Sequence, residues 1–301
     1  MDVKKYGYKR FKCHFQNEQT SMTEINKPDT SEYIKLLKKT LIDFGNIDSY
    51  EYYPLTIVNP NWKTAILFSL DKLLRTRNFI ISKRKYIVKE HRINGYDWPA
   101  NAVTMIGLNR LNNIEDCIHS IHKDNIEGDL IEAGVWRGGA TILMRAILKE
   151  LNISNRKVWV ADSFRGLPKP DIRKYVADKG NKLNKLKILS VSLKEVKRNF
   201  EKFDLLDEQV IFLEGWFKDT LINAPITKLA LIRLDADMYE STFQALENLY
   251  PKLSLGGYII IDDYNAFQNC RQAVDDFRRK NNINHTIIKI DREAIYWRKE
   301  V

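Results

Sequence analysis

Short apolar runs alternate with amphipathic stretches from residue 129 to the end of the chain. Runs of β-branched residues without a polar interruption are typical of strands buried on both faces of a sheet, and the amphipathic stretches have helical spacing. Strands that alternate with helices predict an α/β fold with a doubly wound, mostly parallel sheet. The predicted strands are residues 129–133, 157–161, 209–213, 229–234 and 258–261, and the predicted helices are one that ends at Glu150 and three at 193–203, 239–249 and 265–280.

Two further apolar runs, at residues 286–290 and 294–298, are separated by a short polar turn. They predict a closing hairpin, which adds one antiparallel strand to the sheet. Residues 168–187 are polar and predict a long loop.

The first hundred residues follow a different pattern. Residues 1–30 are polar and unpatterned, which predicts a frayed or loosely packed start. Amphipathic helices are predicted at 31–44 and at 62–76, the second within an aromatic-rich segment. We interpret residues 1–100 as an N-terminal extension and lid, and residues 101–301 as the core domain. The aromatic extension is also a candidate for pairing in a homo-oligomer.

Composition narrows the range of partners. The chain has 301 residues and a formal net charge of +10, but its basic residues are scattered apart from two short clusters. Because no basic stripe with interleaved aromatics is present, we expect no nucleic-acid partner; attraction of an anionic substrate is a weaker possibility. No run of about 18 apolar residues occurs, so no membrane span is expected. Cys13, Cys117 and Cys270 fit neither a zinc site nor a disulfide framework, which predicts reduced thiols in a cytoplasmic protein.

Acidic motifs follow two of the predicted buried strands. Asp235-Ala236-Asp237 comes directly after the strand at 229–234, and Asp262-Asp263 follows the strand at 258–261. In an open α/β sheet the carboxyl ends of the strands form the ligand-binding edge, so these carboxylates are expected to make an oxygen-rich corner. Such a corner suits a hard divalent cation, Mg²⁺ in particular. The alternative is that the acids are ordinary helix N-caps.

A glycine-rich turn follows the first strand of the core. Gly134 permits a tight turn, and Gly138 and Gly139 let a ligand lie against the N-terminus of the next helix. The spacing is not that of a dinucleotide-binding turn, and Glu132 before the first glycine would repel a pyrophosphate. An acid there suits a cationic or amino-bearing ligand.

Asp162 ends the second strand and is well placed to accept hydrogen bonds from ribose hydroxyls. A nucleoside that has a positive centre and no pyrophosphate describes S-adenosylmethionine (SAM). The alternative for Asp162 is a cap on the following turn.

Several motifs together give the chain a resemblance to a known family from about residue 31 to its end. It resembles the macrocin O-methyltransferase (TylF-type) family, class I SAM-dependent enzymes that methylate sugar hydroxyls of natural products. The family's Rossmann-like fold has a seven-stranded sheet with the last strand antiparallel. The matching motifs are Glu132-Ala-Gly-Val-Trp-Arg-Gly-Gly139, Arg233-Leu-Asp-Ala-Asp-Met-Tyr-Glu-Ser-Thr242 and Gly256-Gly-Tyr-Ile-Ile-Ile-Asp-Asp-Tyr264, with shorter ones at 97–99, 104–111, 162–168 and 215–221.

The resemblance implies a role for each part of the site. Asp235, Asp262 and Asp263 are expected to hold Mg²⁺, and Asp237 is the candidate general base. Ala236 stands where the family usually has glycine, which leaves the metal motif in place but can shift the loop. The expected SAM-binding residues are Glu132, Gly134, Asp162 and Ser163, with Thr104 and Met105 closing over the cofactor; the same motifs add Trp136, Gly138, Gly139, Gly215 and Trp216.

The expected function is a SAM- and Mg²⁺-dependent O-methyltransferase that acts on a sugar hydroxyl of a glycosylated natural product or another small-molecule glycoside. Two alternatives stay open. A glycosyltransferase could use Asp235-Ala236-Asp237 to bind the metal of a sugar nucleotide, and an inactive scaffold could bind SAM without turnover. Trp216 and Tyr239 could stack on adenine or on a sugar, or they could pack in the core.

Overall fold

Two sheets organise the part of the chain that this computed structural model describes, residues 30–57 and 65–300. A seven-stranded sheet has the strand order β5-β4-β3-β6-β7-β9-β8, and a two-stranded sheet pairs β1 with β2. The strands are β1 Tyr50–Pro54, β2 Ser82–Tyr86, β3 Asp129–Ala133, β4 Val158–Asp162, β5 Val210–Glu214, β6 Leu229–Leu234, β7 Leu253–Ile261, β8 Ile288–Lys289 and β9 Ile295–Arg298.

The large sheet is parallel except for β9. Strands β5, β4, β3, β6 and β7 pair in parallel, whereas β9 is antiparallel to both β7 and β8. The predicted α/β class and the closing hairpin are therefore confirmed. Because β3 lies between β4 and β6, the strand order reverses there, and a crevice forms beyond the carboxyl ends of these strands. Strand β7 begins at Leu253, earlier than predicted, because the pair Gly256-Gly257 was not expected inside a strand.

Helices cover both faces of the large sheet. Consecutive residues of β3 show this directly, because Leu130 and Ile131 are both fully buried but lie in different hydrophobic clusters. One cluster contains side chains of α1, α4, α5 and α6, and the other contains side chains of α8 and α9. The helices are α1 Glu32–Leu41, α2 Ala65–Arg75, α3 Lys89–Ile93, α4 Leu108–Lys123, α5 Gly139–Glu150, α6 Leu193–Glu201, α7 Phe217–Thr220, α8 Tyr239–Leu249 and α9 Gln268–Lys280.

Helix α1 packs into the main core although it precedes residue 100. Ser31 caps it by accepting a hydrogen bond from the Ile34 N–H at 3.2 Å, and Leu37 and Leu41 are buried in the cluster of α4 and α5. A buried ion pair of 2.5 Å also joins Lys38 to Glu115 of α4. The domain boundary at residue 100 stays a prediction.

The small sheet was not predicted, because Ser82-Lys-Arg-Lys-Tyr86 lacks the apolar alternation of a half-buried strand. A buried arginine ties β1 to its surroundings. Arg92 contacts Glu51 of β1 at 3.0 Å and Asp97 at 2.8 Å, and donates to the Ile42 carbonyl at 3.1 Å.

Four predictions concern the cysteines, the start of the chain, the polar loop and the absence of a membrane span. Cys117 and Cys270 are buried free thiols, and Cys13 lies outside the described residues, as does the start predicted to be frayed apart from Thr30. Residues 168–187 form a loop with short 3₁₀ turns, as predicted. Within 30–57 and 65–300, no helix has the length and apolar character that a membrane crossing requires.

We predict that Arg92→Met destabilises the fold by about 3–5 kcal/mol, because Glu51 and Asp97 would keep buried charges without a cation. Urea unfolding measures this loss. The matched control is Lys228→Met, whose ion pair with Glu127 is exposed on both sides, so this variant should unfold at nearly the wild-type urea concentration. Equal losses in the two variants would contradict the prediction.

Candidate functional site

Two adjoining clefts open at the carboxyl ends of β3, β4, β6 and β7. Counted with their open mouths, their empty volumes are about 1060 Å³ and 850 Å³. Both have walls formed by Met105, Leu189, Asp235 and Asp237. Two ligands held in these clefts would therefore meet beside the Asp235–Asp237 turn.

Three carboxylates gather where the clefts join. Asp235, Asp237 and Asp263 each place an oxygen within 4.8 Å of the other two. Asp263 is only 7% exposed, and its Oδ2 atom is buried without a hydrogen-bond partner. Burial raises the pKa of Asp263 well above its ordinary value, and repulsion from Asp237 and Asp235 adds to the shift. The pKa of Asp237 is raised for the same reasons, burial first and then Asp235.

Asp262 points away from this cluster, toward two arginines. Its Oδ1 accepts a hydrogen bond from Arg233, and its Oδ2 accepts one from Arg110 at 2.5 Å. Of the three expected metal ligands, the structure thus brings Asp235 and Asp263 together and adds Asp237. A ligand role for Asp262 stays a prediction.

Arg233 is a residue of the acidic corner that sequence reasoning missed. It lies on the central strand β6, is 1% exposed, and pairs with Glu132 and Asp262 and, at 3.0 Å, with Asp235. These carboxylates raise the pKa of its guanidinium despite its burial. The available signal was an arginine inside an otherwise apolar buried strand, where it requires acidic partners.

Arg110 was missed in the same way. It is 4% exposed and pairs with Asp262, with Asp291 at 2.7 Å and with Glu293 at 3.1 Å. Because Asp291 and Glu293 belong to the turn of the closing hairpin, Arg110 connects that turn to the acidic corner.

Glu132 lies behind the site, outside the lining of either cleft. It is 2% exposed, its Oε1 pairs with Arg233, and its Oε2 is buried without a partner. Burial raises its pKa to about 8. Glu132 is therefore placed to hold Arg233, and direct contact with SAM stays a prediction.

The glycines of the first turn are required by packing. Gly134 lines the first cleft at a φ of 89°, and a Cβ there would overlap the backbone carbonyl of Asp235. A Cβ on Gly138 would lie 2.9 Å from Val196, and one on Gly139 would lie 2.6 Å from Thr104. Neither Gly138 nor Gly139 lines a cleft, so their predicted role against a ligand is not seen in the geometry.

Asp162 faces the first cleft and also fixes the turns around it. Its Oδ2 accepts a hydrogen bond from the Val135 N–H and its Oδ1 accepts one from the Phe164 N–H, both at 2.8 Å. Burial raises its pKa. Its Oδ1 also lies 3.4 Å from the Ser163 hydroxyl. The cap is therefore what the structure shows, and a contact with ribose hydroxyls stays a prediction.

The other expected cofactor-binding residues divide into two groups. Thr104 is buried beside the helix α5 N-terminus and accepts a hydrogen bond from the Ile106 N–H at 3.3 Å, without lining a cleft. Met105 lies between the two clefts. The first cleft is lined by Met105, Trp136, Ser163, Gly215 and Trp216.

Two aromatic residues have different positions. Trp216 lines the first cleft, whereas Tyr239 stacks on Phe243 with ring centroids 5.6 Å apart and donates to Asp276. Tyr239 is partly buried and lines neither cleft, so its stacking on adenine or on a sugar stays a prediction.

Comparison with known proteins agrees with this geometry. Residues 30–299 match the family described as Macrocin-O-methyltransferase (TylF). The chain is 53% identical over 212 residues to demethyldecarbamoylnovobiocin O-methyltransferase of Streptomyces niveus, which covers 70% of this chain and 81% of that protein. It is 44% identical over 249 residues to mycinamicin III 3''-O-methyltransferase of Micromonospora griseorubida, covering 78% of this chain and 98% of that protein.

A solved structure is also similar. The O-methyltransferase NovP superposes with a TM-score of 0.75 at 43% identity, covering 89% of this chain and 98% of that one. The calicheamicin methyltransferase CalS11 superposes with a TM-score of 0.51 at 17% identity, which shows a shared fold alone.

The raised pKa of Asp263 generates a prediction about stability. Because its pKa is higher in the folded than in the unfolded chain, ionisation of Asp263 destabilises the fold progressively as the pH rises above the ordinary carboxyl value. Asp263→Asn is therefore expected to raise the melting temperature of metal-free protein at pH 8.5, and to raise it less at pH 5.5. Each pKa unit corresponds to about 1.4 kcal/mol, and each kcal/mol to about 2–4 °C.

Thermal melts in chelator measure this effect. The control is Asp219→Asn, which changes an exposed acid on α7 and should leave the melting temperature unchanged at both pH values. A lower melting temperature for Asp263→Asn at pH 8.5 would contradict the prediction.

Proposed function

The chain belongs to the macrocin O-methyltransferase (TylF) family, and on that premise we propose that it methylates a sugar hydroxyl of a glycosylated small molecule, using SAM and Mg²⁺. The observation that carries this proposal is the meeting of Asp235, Asp237 and Asp263 at the junction of two clefts. Relatives named as O-methyltransferases give no support to the glycosyltransferase alternative. All four acids of the two motifs, Asp235, Asp237, Asp262 and Asp263, are present, which argues against an inactive scaffold.

The first cleft suits the methyl donor. Gly134 leaves its floor open beside the Asp235 backbone, and the Asp162 carboxylate lines the same cleft, where it would accept hydrogen bonds from ribose hydroxyls. Trp136 and Trp216 offer aromatic faces, and the carboxylates of Asp235 and Asp237 stabilise a sulfonium cation electrostatically. A SAM molecule held by these residues would supply the methyl group beside the wall that the first cleft shares with the second.

The second cleft suits a sugar acceptor. Its walls include Trp98, Leu183 and Phe267, which fit the apolar face of a sugar or an aglycone, and its floor is the acidic corner. The demethyldecarbamoylnovobiocin and mycinamicin III enzymes support a glycoside as the acceptor. The chain's own acceptor would be recognised by the same combination of apolar walls and oxygen-rich floor.

The acidic corner fits a hard divalent cation. Its donors are all carboxylate oxygens, and the buried, unpartnered Oδ2 of Asp263 is the kind of atom that a cation would satisfy. Asp235 and Asp263 would hold Mg²⁺, with Asp262 contributing a remaining lone pair from beside its arginines. When bound, Mg²⁺ would lower the pKa of the acceptor hydroxyl and orient it.

Asp237 is the proposed general base. Its carboxylate lines both clefts, where it would accept the proton of the acceptor hydroxyl, and such help is worth about 10²–10⁴-fold in rate. No histidine lines either cleft in the described part of the chain, so no imidazole competes for this role. The walls of the two clefts would supply alignment of the acceptor oxygen with the methyl group, which can be worth about 7–11 kcal/mol.

We predict that Asp237→Asn lowers kcat by about 10²–10⁴-fold, because the proton of the acceptor hydroxyl loses its acceptor. Methyl transfer from SAM to a panel of natural-product glycosides, with a chelator-treated control, measures turnover. Wild-type turnover in Asp237→Asn would remove Asp237 from the base role. Methyl transfer that is unchanged by chelator would contradict the Mg²⁺ requirement.

Calorimetric titration with Mg²⁺ separates the base from the ligands. Asp263→Asn is expected to weaken Mg²⁺ binding strongly, since it removes a donor, whereas Asp237→Asn should keep the affinity within a few-fold. If Asp237→Asn abolishes Mg²⁺ binding and Asp262→Asn does not change it, Asp237 is a ligand and the assignment of roles is wrong.

A further inference from the structure

One buried carboxylate of the long polar loop is connected to the acidic corner. Residues 163–192, which we name the cleft loop, join β4 to α6. Leu167 and Lys169 of this loop line the first cleft, Leu183 lines the second, and Leu189 lines both. Asp178 lies in the middle of the loop and is 0% exposed.

Asp178 accepts three hydrogen bonds from two helices. Its Oδ1 accepts from the Tyr239 N–H at 2.8 Å and from the Asn269 side-chain amide at 2.7 Å, and its Oδ2 accepts from the Glu240 N–H at 3.0 Å. Tyr239 and Glu240 open α8, and Asn269 lies in the first turn of α9. One carboxylate therefore joins the cleft loop to both helices that follow the acidic motifs.

Helix α8 depends on this carboxylate for its cap. The first N–H groups of a helix lack partners within the helix, and the N-cap residue usually satisfies them with a side-chain oxygen. Met238 occupies the N-cap position of α8, and its side chain makes no capping hydrogen bond. Asp178 fulfils that role from a distant part of the chain, and its negative charge is also favourable at a helix N-terminus.

The segment that α8 continues is conformationally restricted. Asp237 has a φ of 56°, in the left-handed region, and the Met238 N–H donates to the Ala236 carbonyl at 2.5 Å. A left-handed residue other than glycine is unfavourable and persists only where its surroundings hold it. Strand β6 fixes one end of this turn, and the capped start of α8 fixes the other.

We propose that Asp178 is a positioning residue of the acidic corner, since it fixes the starts of α8 and α9 and thereby holds Asp235 and Asp237 opposite Asp263. The same three hydrogen bonds couple the conformation of the cleft loop to that of the cation site. This inference rests on the proposed function, because it assumes that the corner binds a divalent cation. Coupling of this kind is reciprocal, so occupancy of the corner must also stabilise the anchored loop.

The test measures Mn²⁺ affinity by electron paramagnetic resonance in the wild-type chain and in Asp178→Asn. The amide of the variant would face the Glu240 N–H with a donor, so we expect an affinity loss of about tenfold or more, as for other residues that orient metal ligands. The matched control is Asp207→Asn. Asp207 likewise accepts hydrogen bonds through both oxygens, from the Arg145 guanidinium and from the Gln209 N–H, but away from both clefts. The Asp207→Asn variant should be less stable than the wild-type chain but should bind Mn²⁺ with the same affinity.

Asn269→Ala tests the same connection more gently, because it removes one donor and leaves Asp178 in place; a smaller loss of Mn²⁺ affinity is expected. Trypsin provides the readout on the loop, which exposes Arg173, Lys174 and Lys179. Mg²⁺ should slow cleavage within the loop in the wild-type chain and in Asp207→Asn, but not in Asp178→Asn.

The outcomes separate the inference from the proposed function. If the wild-type chain binds no Mn²⁺, the proposed metal site fails, and the inference fails with it. If the wild-type chain binds Mn²⁺ and both Asp178→Asn and Asn269→Ala bind it within twofold of the wild-type affinity, the inference alone is overturned. Equal losses in Asp178→Asn and Asp207→Asn would likewise overturn it, since the effect would then be general destabilisation.

Discussion

A single buried arginine makes the acidic corner compatible with folding. Arg233 sits on the central strand of the sheet, and its guanidinium pairs with Glu132, Asp235 and Asp262. Without a cation at this position, neighbouring carboxylates would repel one another in a region shielded from water. Arg110 adds a second cation from the other side. The two arginines offset the negative charges of Asp235 and Asp262. The carboxylates of Asp237 and Asp263 line the clefts.

The neighbouring carboxylates Asp262 and Asp263 have different surroundings. Both oxygens of Asp262 accept hydrogen bonds from arginines, whereas Asp263 keeps a buried oxygen without a hydrogen-bond partner. In the proposed function, a cation would satisfy that oxygen of Asp263, and Asp237 would accept the proton of the reacting hydroxyl. Gly134 completes the geometry, because only a residue without a Cβ allows the first turn to approach the Asp235 backbone so closely. Asp235 can then form part of the wall of both the first and the second cleft.

The sequence allowed much of the fold to be predicted, because both sheet faces are covered and the strands are continuous apolar runs. The acidic motifs were also found, since acids that end such strands are conspicuous. The direction of each side chain was not predictable in this way. Asp262 and Asp263 are adjacent in the turn that follows β7, yet one side chain points toward the arginines and the other toward the cleft.

Contacts between residues far apart in the chain were not predicted either, because the local pattern carries no information about them. Asp178 lies in a polar loop, where an acid is unremarkable until the starts of α8 and α9 are seen to meet it. The strands β1 and β2 carry charged residues, so no alternation marked them. Gly138 and Gly139 were expected to let a ligand approach the helix. In the structure, Val196 of α6 and Thr104 leave no room for a Cβ at these two positions.

Anomalous diffraction from crystals grown with Mn²⁺ and S-adenosylhomocysteine tests the central claim most directly. The account predicts one manganese peak within coordination distance of Asp235 and Asp263, with the nucleoside in the first cleft against Asp162. A fully bound nucleoside with no manganese peak at the acidic corner would contradict it.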